Sequence, residues 1–89
     1  MKIGNLYMTR NINDKMANDS AFAKFILNAI LKYKNQDWGD TCLEDKKLNN
    51  KAVNTDNQIV AKYKYKNNSI FIITEWNKEY TTILFCDEY

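Results

Sequence analysis

Apolar residues recur along this chain with two different periods, and the change of period divides it into a helical part and a stranded part. Between Ser20 and Lys34, the residues Phe22, Phe25, Ile26, Ala29, Ile30 and Tyr33 follow i, i+3, i+4, i+7 spacing, one buried stripe of an α-helix. Leu27 and Leu31 lie off that stripe, so at ~100° per residue the apolar arc covers roughly two-thirds of the circumference. Only Lys24, Asn28 and Lys32 mark a clearly wet side. Such a helix is either wedged between two surfaces or lends one to a partner, and the second case implies a homodimer. Asn18 or Asp19 can cap its start by accepting from free backbone N–H groups. The stretch Lys34 to Asp40 ends it, with Gly39 free to take a positive φ. Thr41-Cys42-Leu43-Glu44 has the form of a capping box, the Thr41 hydroxyl bonding the Glu44 amide and the Glu44 carboxylate reaching back. It opens a second, weakly amphipathic helix to about Val53, with Cys42, Leu48, Ala52 and Val53 as its inner stripe.

From Ile59 the alternation is that of a strand. Ala61, Tyr63 and Tyr65 fall on one side, Lys62, Lys64 and Lys66 on the other. Asn67-Asn68 reads as a two-residue hairpin turn, since asparagine tolerates left-handed geometry. The next strand, Ser69 to Glu75, carries the run Ile70-Phe71-Ile72-Ile73, apolar on both sides of the pleat. Neither side can face water, which predicts a central strand with cover on both faces. Trp76-Asn77-Lys78-Glu79 is a second turn, Tyr80 to Phe85 a third strand, and Cys86 to Tyr89 trails off it. Ahead of the helices, Leu6, Tyr7 and Met8 suggest a short strand or a docked arm, and Thr9 to Asp14 a loop. The expectation is an α+β fold, one domain over residues 1–89, with two helices followed by a three-stranded antiparallel β-meander.

Composition narrows the chemistry. At 89 residues, 45% hydrophobic and 27% charged, the chain has the make-up of a small globule. It lacks an apolar run of the roughly 18 residues a membrane span needs, and its start lacks the core of a secretory signal. Cys42 and Cys86 are too few for a disulfide framework and read as free thiols, which with the missing signal points to the cytoplasm. A formal charge of +2 does not by itself argue for nucleic acid. Abundant lysine, asparagine and isoleucine reflect A/T-rich codons. Histidine is absent, which removes the usual general base near neutral pH, the imidazole of nucleophile triads and the commonest zinc ligand. Neither Ser20 nor Ser69 sits in a nucleophile elbow, and no glycine-rich phosphate loop is present. The reading is a non-enzyme without a cofactor.

Candidate contacts remain. Lys62, Lys64 and Lys66 form a basic strand face, suited to phosphate with help from Arg10 or Lys78, or equally to keeping an edge strand from pairing. Tyr63 and Tyr65 point the other way, toward a core. Trp38 and Trp76 fall in loops, where they can be binding hot spots or plugs of a small core. Arg10, the only arginine, can pair with Glu75 or a C-terminal carboxylate, or serve a partner. Asp37, Asp40, Glu44 and Asp45 surround Trp38 and Gly39. They suit a helix start, and Asp37, Asp40, Cys42 and Cys86 are weak candidate metal ligands.

The blocks Met8-Thr9-Arg10-Asn11-Ile12-Asn13, Phe22-Ala23-Lys24-Phe25, Asp37-Trp38-Gly39-Asp40, Glu44-Asp45-Lys46, Ile73-Thr74-Glu75 and Thr81-Thr82-Ile83-Leu84-Phe85 together resemble a family of small bacterial proteins. Its members are labelled "plasmid-related protein" and occur on plasmids, integrative elements and phages of Firmicutes. This chain departs from them at Asn11, where members have glycine, and near Cys86, where they have a proline. The resemblance implies no activity but does imply a mobile-element setting. Expected partners are therefore a protein, a host defence protein included, as for an anti-CRISPR inhibitor. Nucleic acid through the lysine face and a metal at the acidic loop are the alternatives. The chain is expected to be a monomer or a homodimer, with no membrane partner.

Overall fold

Helices and strands form here where local pattern, end caps and burial against the rest of the chain together favour them. The computed structural model describes all residues, Met1–Tyr89, in the order β1 (Asn5–Met8), α1 (Arg10–Asn18), α2 (Ser20–Lys34), α3 (Leu43–Ala52), β2 (Ile59–Tyr65), β3 (Asn68–Thr74), β4 (Tyr80–Phe85) and a closing 3-10 turn at Cys86–Glu88. Helix α2 has the expected bounds. Asp19 caps it, its Oδ1 accepting from Phe22 N at 3.0 Å, and Phe22, Ile26, Ala29 and Tyr33 are its buried side. It ends in the expected stretch, where Gly39 does take a positive φ (62°) but lies beyond the residues that close the helix. Gln36 N donates to the Tyr33 carbonyl and Asp37 N to the Lys32 carbonyl, a Schellman motif with Gln36 at the left-handed position (φ 61°) where glycine is usual.

The four strands form one sheet in the order β1-β4-β3-β2. β2, β3 and β4 are the expected antiparallel meander, with β3 central. The hairpin pairs Tyr65 with Asn68, so the turn residues are Lys66 and Asn67 rather than Asn67 and Asn68, and Lys66 takes the positive φ. Two elements change the expected count of strands and helices. Asn5–Met8 is the short strand, one of the two readings open for it, and it pairs parallel to β4, which makes the sheet four-stranded and mixed rather than a three-stranded antiparallel meander. Residues Arg10–Asn18 are helix, not loop: the Thr9 hydroxyl accepts from Ile12 N, and Ile12 is fully buried. The Asn- and Asp-rich composition disfavours a helix locally, but burying Ile12 and partly burying Met16 against the core overrides it.

The register places residues on two faces. Ile59, Ala61 and Tyr63 of β2, Ile70 and Ile72 of β3, and Ile83 of β4 join Ile12, Phe22, Ile26, Ala29, Tyr33, Trp38 and Ala52 in one buried cluster. All three helices therefore serve the same face of the sheet. The chain N-terminal to β1 is drawn in as well. Gly4 (φ 63°) lies so close to the β3–β4 turn that an added Cβ would overlap the Glu79 carbonyl. The Thr81 hydroxyl donates to Ile3 O at 2.6 Å. Thr81 Oγ1 is also 2.7 Å from Thr74 Oγ1, itself 2.6 Å from the Tyr33 hydroxyl. A carbonyl can only accept, so the protons of this buried chain run one way: Tyr33 to Thr74 to Thr81 to Ile3. Burial pushes the Tyr33 hydroxyl upward from its ordinary range and keeps it the donor.

Candidate functional site

The carboxylate and lysine candidates meet at the outer edge of β2. An edge strand exposes unpaired N–H and C=O groups, and here the preceding loop and α3 satisfy them. Gly39 forms a parallel bridge with Lys62, and Asp40 N donates to the Lys62 carbonyl at 2.9 Å. Lys62 N donates to Thr41 Oγ1 and Lys64 N to Asp40 Oδ2, each at 2.8 Å. Farther along, the Asn49 amide accepts from Val60 N and donates to Val60 O, standing in for a neighbouring strand. Each such bond contributes on the order of 0.5–1.5 kcal/mol net.

This arrangement revises two expectations for α3. Thr41 does not close a capping box. Its hydroxyl donates to Trp38 O and accepts from Lys62 N, and Cys42 occupies the cap position with no side-chain bond. Asn49, not Leu48, faces inward with Ala52, and Leu48 is exposed. A buried asparagine is tolerable because both ends of its amide are used.

Trp38, expected in a loop as a candidate contact, is a core residue. It is buried, packs edge-on to Tyr33 at 5.5 Å and donates from Nε1 to Asn50 Oδ1. Gly39 permits this approach, since a Cβ there would overlap the Tyr63 ring. The Tyr63 hydroxyl donates to Asp37 O, and burial raises it from its ordinary range. Trp76 is exposed in the β3–β4 turn. Lys78 in that turn is committed: its ammonium donates to the carbonyls of Thr55, Asn57 and Trp76, pinning the loop after α3. Arg10 is exposed and forms no ion pair. The link expected of it is made by its neighbours, Thr9 and Asn11 both donating to the Glu88 carboxylate, which also accepts from Phe85 N.

Of the metal candidates, Asp37 accepts from Gly39 N and Asp40 from Lys64 N. Nowhere do three carboxylate or thiol groups converge in a way that could hold an ion. Cys42 is exposed and Cys86 half-buried, and they are not bonded to each other. Burial raises the Cys86 thiol, with Lys62 opposing and Asp87 adding to the shift.

The lysine row is broken. Lys62 and Lys64 lie on the sheet face away from the helices, but Lys66 is in the turn, its ammonium 5.4 Å from the ring of Tyr65, which packs toward the core. Near Lys62 and Lys64, a cavity of about 340 Å³ is shared with Asp40, Thr41, Cys42, Asp45, Val60 and Phe71. The carboxylates offset the lysine charge.

The face those lysines share was expected to be covered, and no helix covers it. Val60, Phe71, Ile73 and Leu84 lie on it and belong to no helix-packed cluster. Ile73 and Leu84 are nonetheless buried, while Phe71 is half-buried with the Tyr89 ring edge-on to it at 5.4 Å. The β1–β4 pairing adds Tyr7 and Tyr80, which contact each other edge-on at 6.1 Å. Tyr7, Tyr80 and Tyr89 are 54%, 41% and 72% exposed. None of the three stands out in the sequence, because Tyr7 and Tyr80 share a face only through the β1–β4 pairing and Tyr89 joins them only through its contact with Phe71. No helix of the protein is long and apolar enough to cross a membrane. No family model, curated protein or solved structure matches the chain.

Proposed function

We propose that this chain is a non-enzymatic binding protein that acts by protein–protein contact through the open face of its sheet. The observation that carries the reading is the set of exposed tyrosines, Tyr7, Tyr80 and Tyr89, on the sheet face that none of the three α-helices covers, with half-buried Phe71 against Tyr89. Tyrosine presents a large rigid contact with a polar tip, and aromatic residues dominate the energetics of protein interfaces. The sequence resemblance supports a mobile-element setting, and there the partner is a host defence protein that this chain blocks by occupancy, as an anti-CRISPR inhibitor does. The test is capture of partners from host lysate and by purified defence nucleases, using wild type and a Tyr7→Ser/Tyr80→Ser/Tyr89→Ser variant. A specific partner retained by wild type and lost by the variant is expected. Identical captures by the two would overturn the assignment to this face.

One observation favours a second reading. The open face combines Lys62 and Lys64 with exposed aromatic rings, the pairing that single-stranded nucleic acid uses for backbone and base. Asp40 and Asp45 beside the lysines weaken it. A salt-sensitive gel shift abolished by Lys62→Gln/Lys64→Gln would establish this reading, and no shift at low salt would remove it.

A further inference from the structure

Helix α2 carries a second apolar surface on the opposite side of the molecule. At about 100° per residue, Leu27 and Leu31 lie roughly 130° and 170° around the helix from the centre of the stripe of Phe22, Ile26, Ala29 and Tyr33. They are 56% and 59% exposed, so the wide apolar arc of α2 is not wedged between two internal layers. Leu27 and Leu31 are adjacent turns of one ridge. Lys24 continues it toward the N-terminus and Lys34 toward the C-terminus, giving a palindromic row: lysine, two residues, leucine, three residues, leucine, two residues, lysine. Both lysines are exposed and neither forms an ion pair. The helix has no carboxylate. The nearest, Asp19 and Asp37, are engaged by Phe22 N with Lys15, and by Gly39 N.

This charge pattern decides between occupants. A second copy paired through α2 in antiparallel fashion brings Lys24 against the partner's end of the same row, lysine on lysine at both ends, and a parallel pairing does the same. Like charges facing each other in that way are unfavourable. A helix with the complementary row has no such conflict: carboxylate, two residues, apolar, three residues, apolar, two residues, carboxylate. Its carboxylates stand about 15 Å apart, the separation of Lys24 and Lys34 at about 1.5 Å per residue. Because the row reads the same in both directions, such a helix can lie either way along α2.

We infer that the Lys24-Leu27-Leu31-Lys34 ridge of α2 is a docking site for an amphipathic helix of a protein partner whose apolar stripe is bounded by carboxylates. It is separate from the open sheet face and does not depend on what that face binds.

The test uses the full chain and two fluorescein-labelled helical peptides. One carries Glu-x-x-Leu-x-x-x-Leu-x-x-Glu on its apolar face, and the other has lysine in place of both glutamates. Anisotropy at low salt should show saturable binding of the acidic peptide, about tenfold tighter than the basic one, as expected for two exposed charge pairs. A Lys24→Glu/Lys34→Glu variant should reverse the preference. A Leu27→Ser/Leu31→Ser variant should bind neither peptide while remaining folded, with a melting temperature within several degrees of wild type, since both side chains are largely exposed and serine is only a moderately weaker helix former. Equal affinity for the two peptides, or no binding of either, overturns the inference. So does binding only to vesicles containing phosphatidylserine, or self-association of the chain that the leucine variant abolishes.

Discussion

Replacing Thr81 by valine preserves shape and removes one hydroxyl from the middle of the Tyr33–Thr74–Thr81–Ile3 chain. Thr74 and Thr81 are fully buried, so no water can replace the acceptor that Thr74 loses, whereas the half-buried Ile3 loses a bond on the order of 0.5–1.5 kcal/mol. The substitution breaks two bonds at once: the Thr74 proton loses its acceptor and the Ile3 carbonyl its donor. Leaving one buried group unsatisfied costs about 1–3 kcal/mol, so Thr81→Val should lose about 2–4 kcal/mol, allowing for relaxation. Tyr33→Phe acts at the head of the chain. Thr74 still donates to Thr81, nothing is orphaned, and the cost should be about 0.5–1.5 kcal/mol. Urea unfolding of a chain this small has a slope of roughly 1 kcal/mol/M, so the midpoints should fall by about 2–4 M and about 1 M. The double variant should lose less than the sum, because both changes act on one network. Total stability at this size is on the order of 5–13 kcal/mol, so Thr81→Val can approach the limit of folding. Thr81→Ser keeps the hydroxyl and provides the folded reference. A Thr81→Val variant no less stable than Tyr33→Phe would refute the one-way chain.

Two further outcomes follow from the helix ends. Gln36 holds a left-handed conformation that glycine adopts without strain, so Gln36→Gly should stabilise by about 0.5–1 kcal/mol and raise Tm by roughly 2–8 °C in a thermal melt; an unchanged or lower Tm would contradict the Schellman assignment. The backbone bond from Phe22 holds the Asp19 carboxyl below its ordinary value of 3.8, against the opposing effect of desolvation and with Lys15 assisting. A depressed folded-state pKa contributes stability that is complete above pH ~4 and is lost as pH falls through the folded value. Asp19→Asn can cap without titrating, so the stability advantage of wild type over this variant should shrink below pH ~4, and parallel stability curves from pH 5 to pH ~2.5 would argue against the cap.

Helix α2 and the β2–β3–β4 meander were legible because each rests on a local period. A helix stripe and a strand alternation are written into neighbouring residues, and Asp19 sits beside the N–H groups it caps. What tertiary structure decided lies between residues far apart. Asn5–Met8 is a strand only because β4 offers it a parallel edge, and Arg10–Asn18 is a helix because Ile12 has a core to enter. Thr41 has the sequence of a cap but bonds the backbone of Lys62, since a buried strand edge needs a partner more than an exposed helix start does. Trp38 was legible as either a contact or a plug of the core, and only its packing on Tyr33 and its bond to Asn50 decided for the core. The two-sided apolar run of β3 identified a central strand correctly, yet it could not say what lay across each face. Helices cover one, while the other has its own neighbours and Tyr89. Side-chain parity along a strand is local, but which strands stand side by side is not. The gathering of Tyr7, Tyr80, Phe71 and Tyr89 on one surface was therefore settled by the sheet order and not by any stretch of sequence.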